Sequence, residues 1–485
     1  MAVRKVQLIC ATANVGRGAN DGVYSPAGLL TIANALQSEG VEVVVDDQHH
    51  SSIVIHNDAD LVGIQTASTL CHKNALEIAR LAKEAGKSVV LGGPHATALP
   101  GQILQNRHKI DFIIRGKGEQ PLVDLVSTLG AGKSLTSVPS LSWREGGRVI
   151  HNPDDVRMWH YDKYVPLPLE MLSCGVGQYW KAYHKVINPQ TDFSFLMFTH
   201  FVCGYRERRV GRIQPGNPFP VRSKQTGEPK FCSFCALQDV AGPRLPKNIL
   251  AELRVYLDTW RVPKDSRVSL KCYGDNIGPQ GKLVADLVQE IEKCPWWKDY
   301  HFSWTFYCQS SYLSKELAEN LARIGTDCLF IGFDSINDEV QKLNALGTSR
   351  LTHDRAVALC RQHGIRIQAA SVLGLIGENP ESLEENYQYY RGLLEQGVLE
   401  RINSAILFII PGTAAYEMLV EREPWIGKLD LLPTDEVRRA WIKHFCPHVN
   451  LDLLREYAEK IDDLSPGPHA SMGYESSRLK LRKLF

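Results

Sequence analysis

Short apolar runs alternating with amphipathic stretches set the rhythm of the chain from residue 5 to about 130. VQLICATA, VEVVVDD, DLVGIQTAS, SVVLGGPHA and DFIIRGKGE are strand-length runs rich in β-branched residues. Between them, SPAGLLTIANALQSEG and HKNALEIARLAKEAGK repeat apolar residues at three and four positions, the period of a helix with one buried face. This α/β alternation predicts a doubly wound parallel sheet, Rossmann- or flavodoxin-like, with ligands at the carboxyl ends of the strands. Small or glycine-rich turns fall at those ends, at Thr66 to Thr69, Gly92-Gly93 and Gly116 to Gly118. They lack GxGxxG spacing, so a dinucleotide is not the expected ligand.

From 131 to about 190 the pattern changes. SLSWREGGRVIHNP reads as a hairpin turning at Glu145-Gly146-Gly147, and VPLPLEMLSCG as a proline-punctuated connector. From about 191 the alternation resumes, with strands DFSFLMFTHF, RVSLKCYGD, HFSWTFYCQ, DCLFIGFDS, RIQAASVLGL and RINSAILFII separated by helical segments. Six such units predict a partial or full β/α barrel with its site at the strand carboxyl ends. The tail from about 414 is helical, and PTDEVRRAWIKHF carries Thr434 or Asp435 as its expected cap. The expected division is a first domain over 1–135, a linker with a small β-element over 136–190, a barrel over 191–413 and a helical region over 414–485. Trp296, Trp297, Trp304 and Tyr307 are read as packing residues near the second and third barrel strands.

Composition narrows the function classes. The 485 residues are 44% hydrophobic and 22% charged with net charge +1, which argues against a dedicated nucleic-acid binder. No apolar run approaches the ~18 residues that span a bilayer. MAVRKVQLICATAN reads as a first strand rather than a signal peptide, which predicts a cytoplasmic protein. Of twelve cysteines, only Cys232 and Cys235, in EPKFCSFCALQD, are close enough to mark a site by spacing. A lone CxxC fits a zinc knuckle, part of an iron–sulfur site or a redox pair. Cys203 follows the first barrel strand in THFVCGY, and 28 residues rich in Gly, Pro and Arg separate it from Cys232. If that loop doubles back, three thiolates meet at the barrel mouth. Three thiolates suit a [4Fe–4S] cluster with one open iron, whereas a structural zinc wants a fourth ligand. The insertion holds Arg206, Arg208, Arg209, Arg212, Arg222, Lys224 and Lys230 against Glu207 and Glu228. A solvated loop is the plainer reading. A basic lip receiving an acidic or carrier-protein-tethered substrate, or the reductase, is the functional one.

THFVCGY followed by KFCSFCA resembles the cluster motif of radical S-adenosylmethionine (SAM) enzymes, which is usually Cys-x3-Cys-x2-Cys with an aromatic residue before the last cysteine. Phe234 stands in that place. YGDN at 273–276, IGFDS at 331–335, VLGLIGENPES at 372–382 and IIPGTAAYE at 409–417 resemble later motifs of the same barrel, with Asp334 where the family usually has Glu. GGPHAT at 92–97 and IIRGKGEQPLVDLV at 113–126 resemble the cobalamin-binding domain that precedes the barrel in one large subclass. The chain therefore resembles the cobalamin-dependent radical SAM enzymes. The longer spacing between the first two cysteines departs from their pattern. Asp47-Gln48-His49 follows the wrong strand for a cobalt-ligating DxH motif, and Ser52 replaces its glycine, so it is read as a chance match.

The resemblance implies a [4Fe–4S] cluster on Cys203, Cys232 and Cys235, with Phe234 beside the adenine of SAM. It implies SAM contacts from Gly274, Asp275, Asp334 and Gly374, and cobalamin contacts from Thr66, Ser68, Gly92, Gly93, His95, Gly116 and Glu119. Each has a structural alternative: a turn at Gly92-Gly93, a local backbone bond for His95, a helix cap for Asp334. The implied activity is C-methylation, in which a 5′-deoxyadenosyl radical takes hydrogen from an inert carbon and cobalamin delivers the methyl group. A small-molecule pathway, in secondary metabolism, and a flavodoxin- or ferredoxin-type reductant are implied with it. Radical cyclisation, rearrangement or P-methylation with the same cofactors is the nearest rival, and a zinc-stabilised scaffold is the rival of another class.

Overall fold

The computed structural model describes residues 3–13, 22–157, 160–200, 203, 221–236 and 243–465. Arg206, Glu207, Arg208, Arg209 and Arg212 of the insertion lie outside the described residues. Strands β1 (Lys5–Cys10), β2 (Glu42–Asp47), β3 (Leu61–Gln65), β4 (Ser88–Gly92) and β5 (Phe112–Ile114) pair in parallel in the order β2-β1-β3-β4-β5. That is the flavodoxin-like order, and the connections reverse direction between β1 and β3, where such sheets bind ligands. Leu61, Val62, Val89 and Leu91 are fully buried, as parallel strands covered on both faces must be.

The hairpin expected in the linker extends this sheet. β6 (Leu141–Glu145) and β7 (Arg148–His151) add to β5 as an antiparallel edge. Arg144 fixes the join: its guanidinium donates to the carbonyl of Leu104, in the last turn of the helix Pro100–Asn106, at 2.6 Å and to that of Ile110, in the loop before β5, at 2.7 Å.

The second sheet is six parallel strands in sequence order: β8 (Phe193–Met197), β9 (Arg267–Cys272), β10 (His301–Cys308), β11 (Thr326–Asp334), β12 (Arg366–Leu373) and β13 (Leu399–Ile406). β8 and β13 are its two edges, so the barrel is open. Along β11, Leu329, Ile331 and Phe333 are fully buried, and Phe333 stacks on Tyr390 of the helix Pro380–Glu395. By strand alternation Phe330, Gly332 and Asp334 face the lumen. The edge of β13 is capped by the last described helix, Leu451–Asp463: the Ser404 amide donates to Asp462 at 2.9 Å and the Ile402 amide to Ser465 at 3.1 Å. No helix among the described residues is long and apolar enough to cross a membrane.

Two expectations need correction. The helix Thr434–Phe445 starts after Pro433, which holds the cap position without a side-chain bond. Thr434 and Asp435 are already inside its first turn, where Asp435 favours the positive end of the helix dipole. Trp304 is a packing residue, fully buried and stacked on Phe306, but Tyr307 lines a cavity in the barrel lumen.

A buried clamp ties the C-terminal region to the first domain. Asp430 accepts from Arg107 Nε at 2.6 Å and Asn106 at 3.1 Å, and lies 3.2 Å from His72 Nε2. His95 reaches the backbone carbonyl of Asp430 at 2.9 Å, and its ring centroid lies 4.3 Å from that of His72. Burial, with His72 adding to it, holds His95 down to about 3, and the clamp holds the Asp430 carboxyl below its ordinary range. The unfolded chain thus takes up a proton on His95 near pH 6.5 that the folded chain refuses until about pH 3. Stability should fall across that window by up to about 1.4 kcal/mol per pH unit, with Asp430 protonation adding to the loss at its lower end. Asp430→Ala should cost about 3 kcal/mol at neutral pH and flatten the acid limb of a melting-temperature profile. An unchanged profile would show that the clamp carries no stability.

Candidate functional site

The mouth of the barrel is built from strand ends that separate residues pin in place. Beyond β8 the chain runs through Thr199 and His200 to Cys203. Arg244, almost fully buried, donates through its guanidinium to the carbonyl of Phe198 at 2.7 Å and through its backbone amide to the carbonyl of Thr199 at 2.9 Å, and pairs with Asp162 and Glu252. His200 is also buried, and its imidazole is held down to about 4 by burial. Gly274, at the end of β9, packs on it so closely that a Cβ would lie 2.7 Å from the His200 carbonyl oxygen.

Cys232 and Cys235 bracket a tight turn closed by the Cys235 amide on the Cys232 carbonyl at 3.0 Å. Asn344, fully buried, holds that turn. Its backbone carbonyl accepts from the Ser233 amide at 3.0 Å, and its side-chain oxygen accepts from the Ser233 hydroxyl at 2.8 Å. The same carboxamide donates to the carbonyls of Val340 at 2.8 Å and Ile376 at 3.0 Å and accepts from the Ile376 amide at 3.1 Å. One side chain therefore fixes the cysteine turn, the helix Asp338–Leu343 and the loop after β12. The IIPGTAAYE segment closes the other side, with the Ala415 amide on the Ser233 carbonyl at 2.9 Å.

Burial pushes the Cys232 thiol well above its ordinary range, and Cys235, Asp334 and Cys203 add to the shift in that order. Cys232 thus lies near enough to Cys235, Asp334 and Cys203 to feel their charge, across the long insertion. Phe234 is partly buried beside Val340, Leu346 and Leu375. Asp334 ends β11 at a register shift with φ +55, and burial lifts its carboxyl to about 7. Its carboxylate folds back over Gly332, where a Cβ would lie 3.4 Å from both oxygens. It caps no helix, because Asn337 caps the one that follows. Asp275 is half-buried beside Gly274. Gly374 is committed to the loop: its amide donates to Glu378, and its carbonyl accepts from Trp441 at 2.8 Å.

The cobalamin candidates divide into two groups. Thr66 is fully buried and spends both its amide and its hydroxyl on the Gly92 carbonyl, each at 2.8 Å. Glu119 is buried and accepts from Thr31 at 2.8 Å, and His95 serves the Asp430 clamp. These three hold the sheet's carboxyl end together. Gly93 is obligatory there, since with φ +101 its Cβ would lie 2.5 Å from the Thr66 carbonyl oxygen. Ser68, Gly92, Gly93 and Gly116 border a part-exposed ledge, and nothing lies within 4 Å of where a Gly116 Cβ would project. Cys10, Asp47 and His49 gather within 4.8 Å at the ends of β1 and β2. Asp47 is already occupied there by His49 at 2.6 Å and the Tyr179 hydroxyl at 2.7 Å.

Both cofactor groups fit what is present. Three thiols at one barrel mouth are a donor set for iron rather than a complete zinc shell. The glycine ledge leaves backbone open to a large planar ligand. Arg244, Asn344 and Asp430 are the residues that sequence reading missed. Each looks locally like an ordinary helix-flanking or loop residue, and its role exists only through partners distant in the chain.

Residues 15–126 match the B12 binding domain and residues 224–390 the radical SAM superfamily. An uncharacterised methyltransferase of Pyrococcus horikoshii is 21% identical over 81% of this chain and 78% of its own length. The bacteriochlorophyllide d C-12(1)-methyltransferase of Chlorobaculum tepidum is 24% identical over 82% and 75%. The radical SAM methyltransferase TsrM from Kitasatospora setae, solved with cobalamin and a [4Fe–4S] cluster, shares the fold at TM-score 0.64 and 18% identity, over 86% of this chain and 75% of that one. The cobalamin-dependent radical enzyme OxsB, solved with aqua-cobalamin and SAM, gives 0.62 at 15% identity, over 87% and 62%.

Asn344→Ala strands the Ser233 hydroxyl and the Ile376 amide in a buried place, at a cost of about 2–3 kcal/mol. It should lower both the melting temperature and the iron retained after anaerobic reconstitution. A variant that melts like the parent and keeps its iron would show that the turn is held by other means.

Proposed function

Since this chain is a radical SAM protein with an N-terminal B12-binding domain, we propose that it is a cobalamin-dependent methyltransferase acting on an unactivated carbon of a small molecule. The observation that supports this reading is that Cys232 lies within electrostatic reach of Cys235, Asp334 and Cys203, despite the insertion that separates the first cysteine from the pair. When bound, the cluster and SAM supply the radical that opens a C–H bond, and cobalamin supplies the methyl group.

The chain's own part is to hold and to exclude. Cys203, Cys232 and Cys235 are the proposed iron ligands, with Asn344 and Arg244 fixing the segments that present them. Phe234, Gly274, Asp275, Asp334 and Gly374 are the proposed SAM-side contacts. Gly274 lets the β9 end press against His200, and Gly374 lends its backbone to a rigid loop. Ser68, Gly92, Gly93 and Gly116 form the proposed ledge for cobalamin, and Thr66, His95 and Glu119 support it from beneath. A buried, close-packed barrel mouth keeps water from a reactive radical. TsrM has been solved with a tryptophan substrate, which supports a small molecule as the methyl acceptor. A carrier-tethered acceptor and a flavodoxin- or ferredoxin-type reductant remain part of the proposal, as does a place in secondary metabolism. An anaerobic magnesium-protoporphyrin IX monomethyl ester cyclase of Rubrivivax gelatinosus is 22% identical over 76% of this chain, so cyclisation is the second reading.

Anaerobic reconstitution with iron and sulfide should load about four irons per chain. Cys203→Ala, Cys232→Ala or Cys235→Ala should each drop iron below a quarter of that and abolish 5′-deoxyadenosine formation. Parent protein that takes up one zinc and no iron would overturn the reading. Product mass separates the two chemistries, because methylation adds one carbon and two hydrogens and cyclisation adds no carbon.

A further inference from the structure

Inside the barrel, below the strand ends just described, lies a cavity of about 40 Å³ lined by Lys271, Tyr307, Thr305, Gln368, Tyr24 and Tyr183, among others. On the measure by which a single water needs about 10–15 Å³, that space admits a carboxylate-sized group. Tyr24 and Tyr183 come from segments outside the six strands and reach into the lumen, so the cavity is made by the whole chain rather than by the barrel alone. Lys271 is buried, at 7% exposure, on the penultimate residue of β9. Its ammonium lies 3.8 Å from the centroid of the Tyr307 ring.

Among the described residues no carboxylate pairs with Lys271. The acid of the cavity wall is Asp327, which is held by Arg366 through Nε at 3.0 Å and through Nη2. Arg366 also donates to Glu400 at 2.6 Å. Both of those carboxylates are thus engaged by Arg366, and neither pairs with the lysine. Burying an ammonium without an anion is costly, and a tyrosine face offsets only part of that cost. Burial has already drawn its pKa down to about 8. A fold that only needed to fill this space would use an apolar side chain. A lysine kept there is an anion site awaiting its anion.

We propose that Lys271 binds the carboxylate of the methyl acceptor, which makes the substrate a small organic acid held by its anionic end within the barrel, against tyrosine walls. This deepens the methyltransferase reading and rests on it for the word acceptor. Register fixes the rest of the molecule's shape. Tyr307 pairs with Phe330, four residues before Asp334, or ~13 Å of strand. The acid therefore carries a body long enough to bring its reacting carbon from that layer up toward the cysteine mouth, and flat or apolar enough to pass Tyr307 and Phe330, whose rings meet edge to face at 5.4 Å.

Benzoate, with benzamide as its neutral isostere, tests the site on the full chain loaded with cluster and cobalamin, by saturation-transfer NMR. Benzoate should bind the parent, lose about tenfold or more in affinity in Lys271→Met, and recover most of it in Lys271→Arg, while benzamide binds neither. Lys271→Met should melt no lower than the parent, since it removes an unpaired buried charge. A merely structural lysine would instead show lost stability and no benzoate dependence. Absent benzoate binding, equal binding of benzamide, an unaffected Lys271→Met variant, or inorganic phosphate binding more tightly than benzoate would each overturn the assignment. The titration needs no turnover. A parent protein that binds benzoate in this way but forms no 5′-deoxyadenosine would defeat the radical reading while leaving the anion site standing.

Discussion

The carboxamide of Asn344 is the constraint on which the rest of the barrel mouth depends. Buried polar groups must be satisfied, and this one satisfies four others at once: the Ser233 hydroxyl, the Ile376 amide, and the carbonyls of Val340 and Ile376. Ser233 is separated in sequence from the other two residues by more than a hundred positions. Because each bond fixes the angle of the next, the cysteine turn cannot shift without disturbing the loop after β12. A metal site needs such stiffness from groups that never touch the metal.

The strands were legible because their alternation survives in the sequence, and the structure places all thirteen within or beside the runs that apolar spacing marks. The cysteine pair was legible for the same local reason. Arg244, Asn344 and Asp430 were not. Asp430 meets His95 across 335 positions, and no window of sequence holds both ends of that contact. Lys271 illustrates the subtler loss. Nothing in the run RVSLKCYGD marks it, and only the curvature of the strands into a barrel makes it a buried charge.

Glycines and small polar residues at strand ends had two readings throughout, and the structure separates them by what they touch. Gly93 and Gly274 are demanded by backbone pressed against them, and Thr66 by a carbonyl it must satisfy. Gly116 is called for by its backbone, at φ +68, although the space beside it is open. A residue that the fold explains can still meet a ligand. One that the fold leaves unexplained points to a ligand more directly, and on that basis Lys271 is the more informative position.

The capping of β13 by Asp462 and Ser465 has a consequence for how the protein is made. A strand edge with unpaired amides recruits other strands, and here the groups that blunt it arrive on the last described helix. While the ribosome is still adding residues beyond 450, the barrel has its six strands but a sticky margin. The exposure of that margin therefore ends with the docking of that helix rather than with formation of the sheet. Synthesis rate over the final segment, and chaperone cover during it, would then govern the yield of active protein more than the stability of the finished fold.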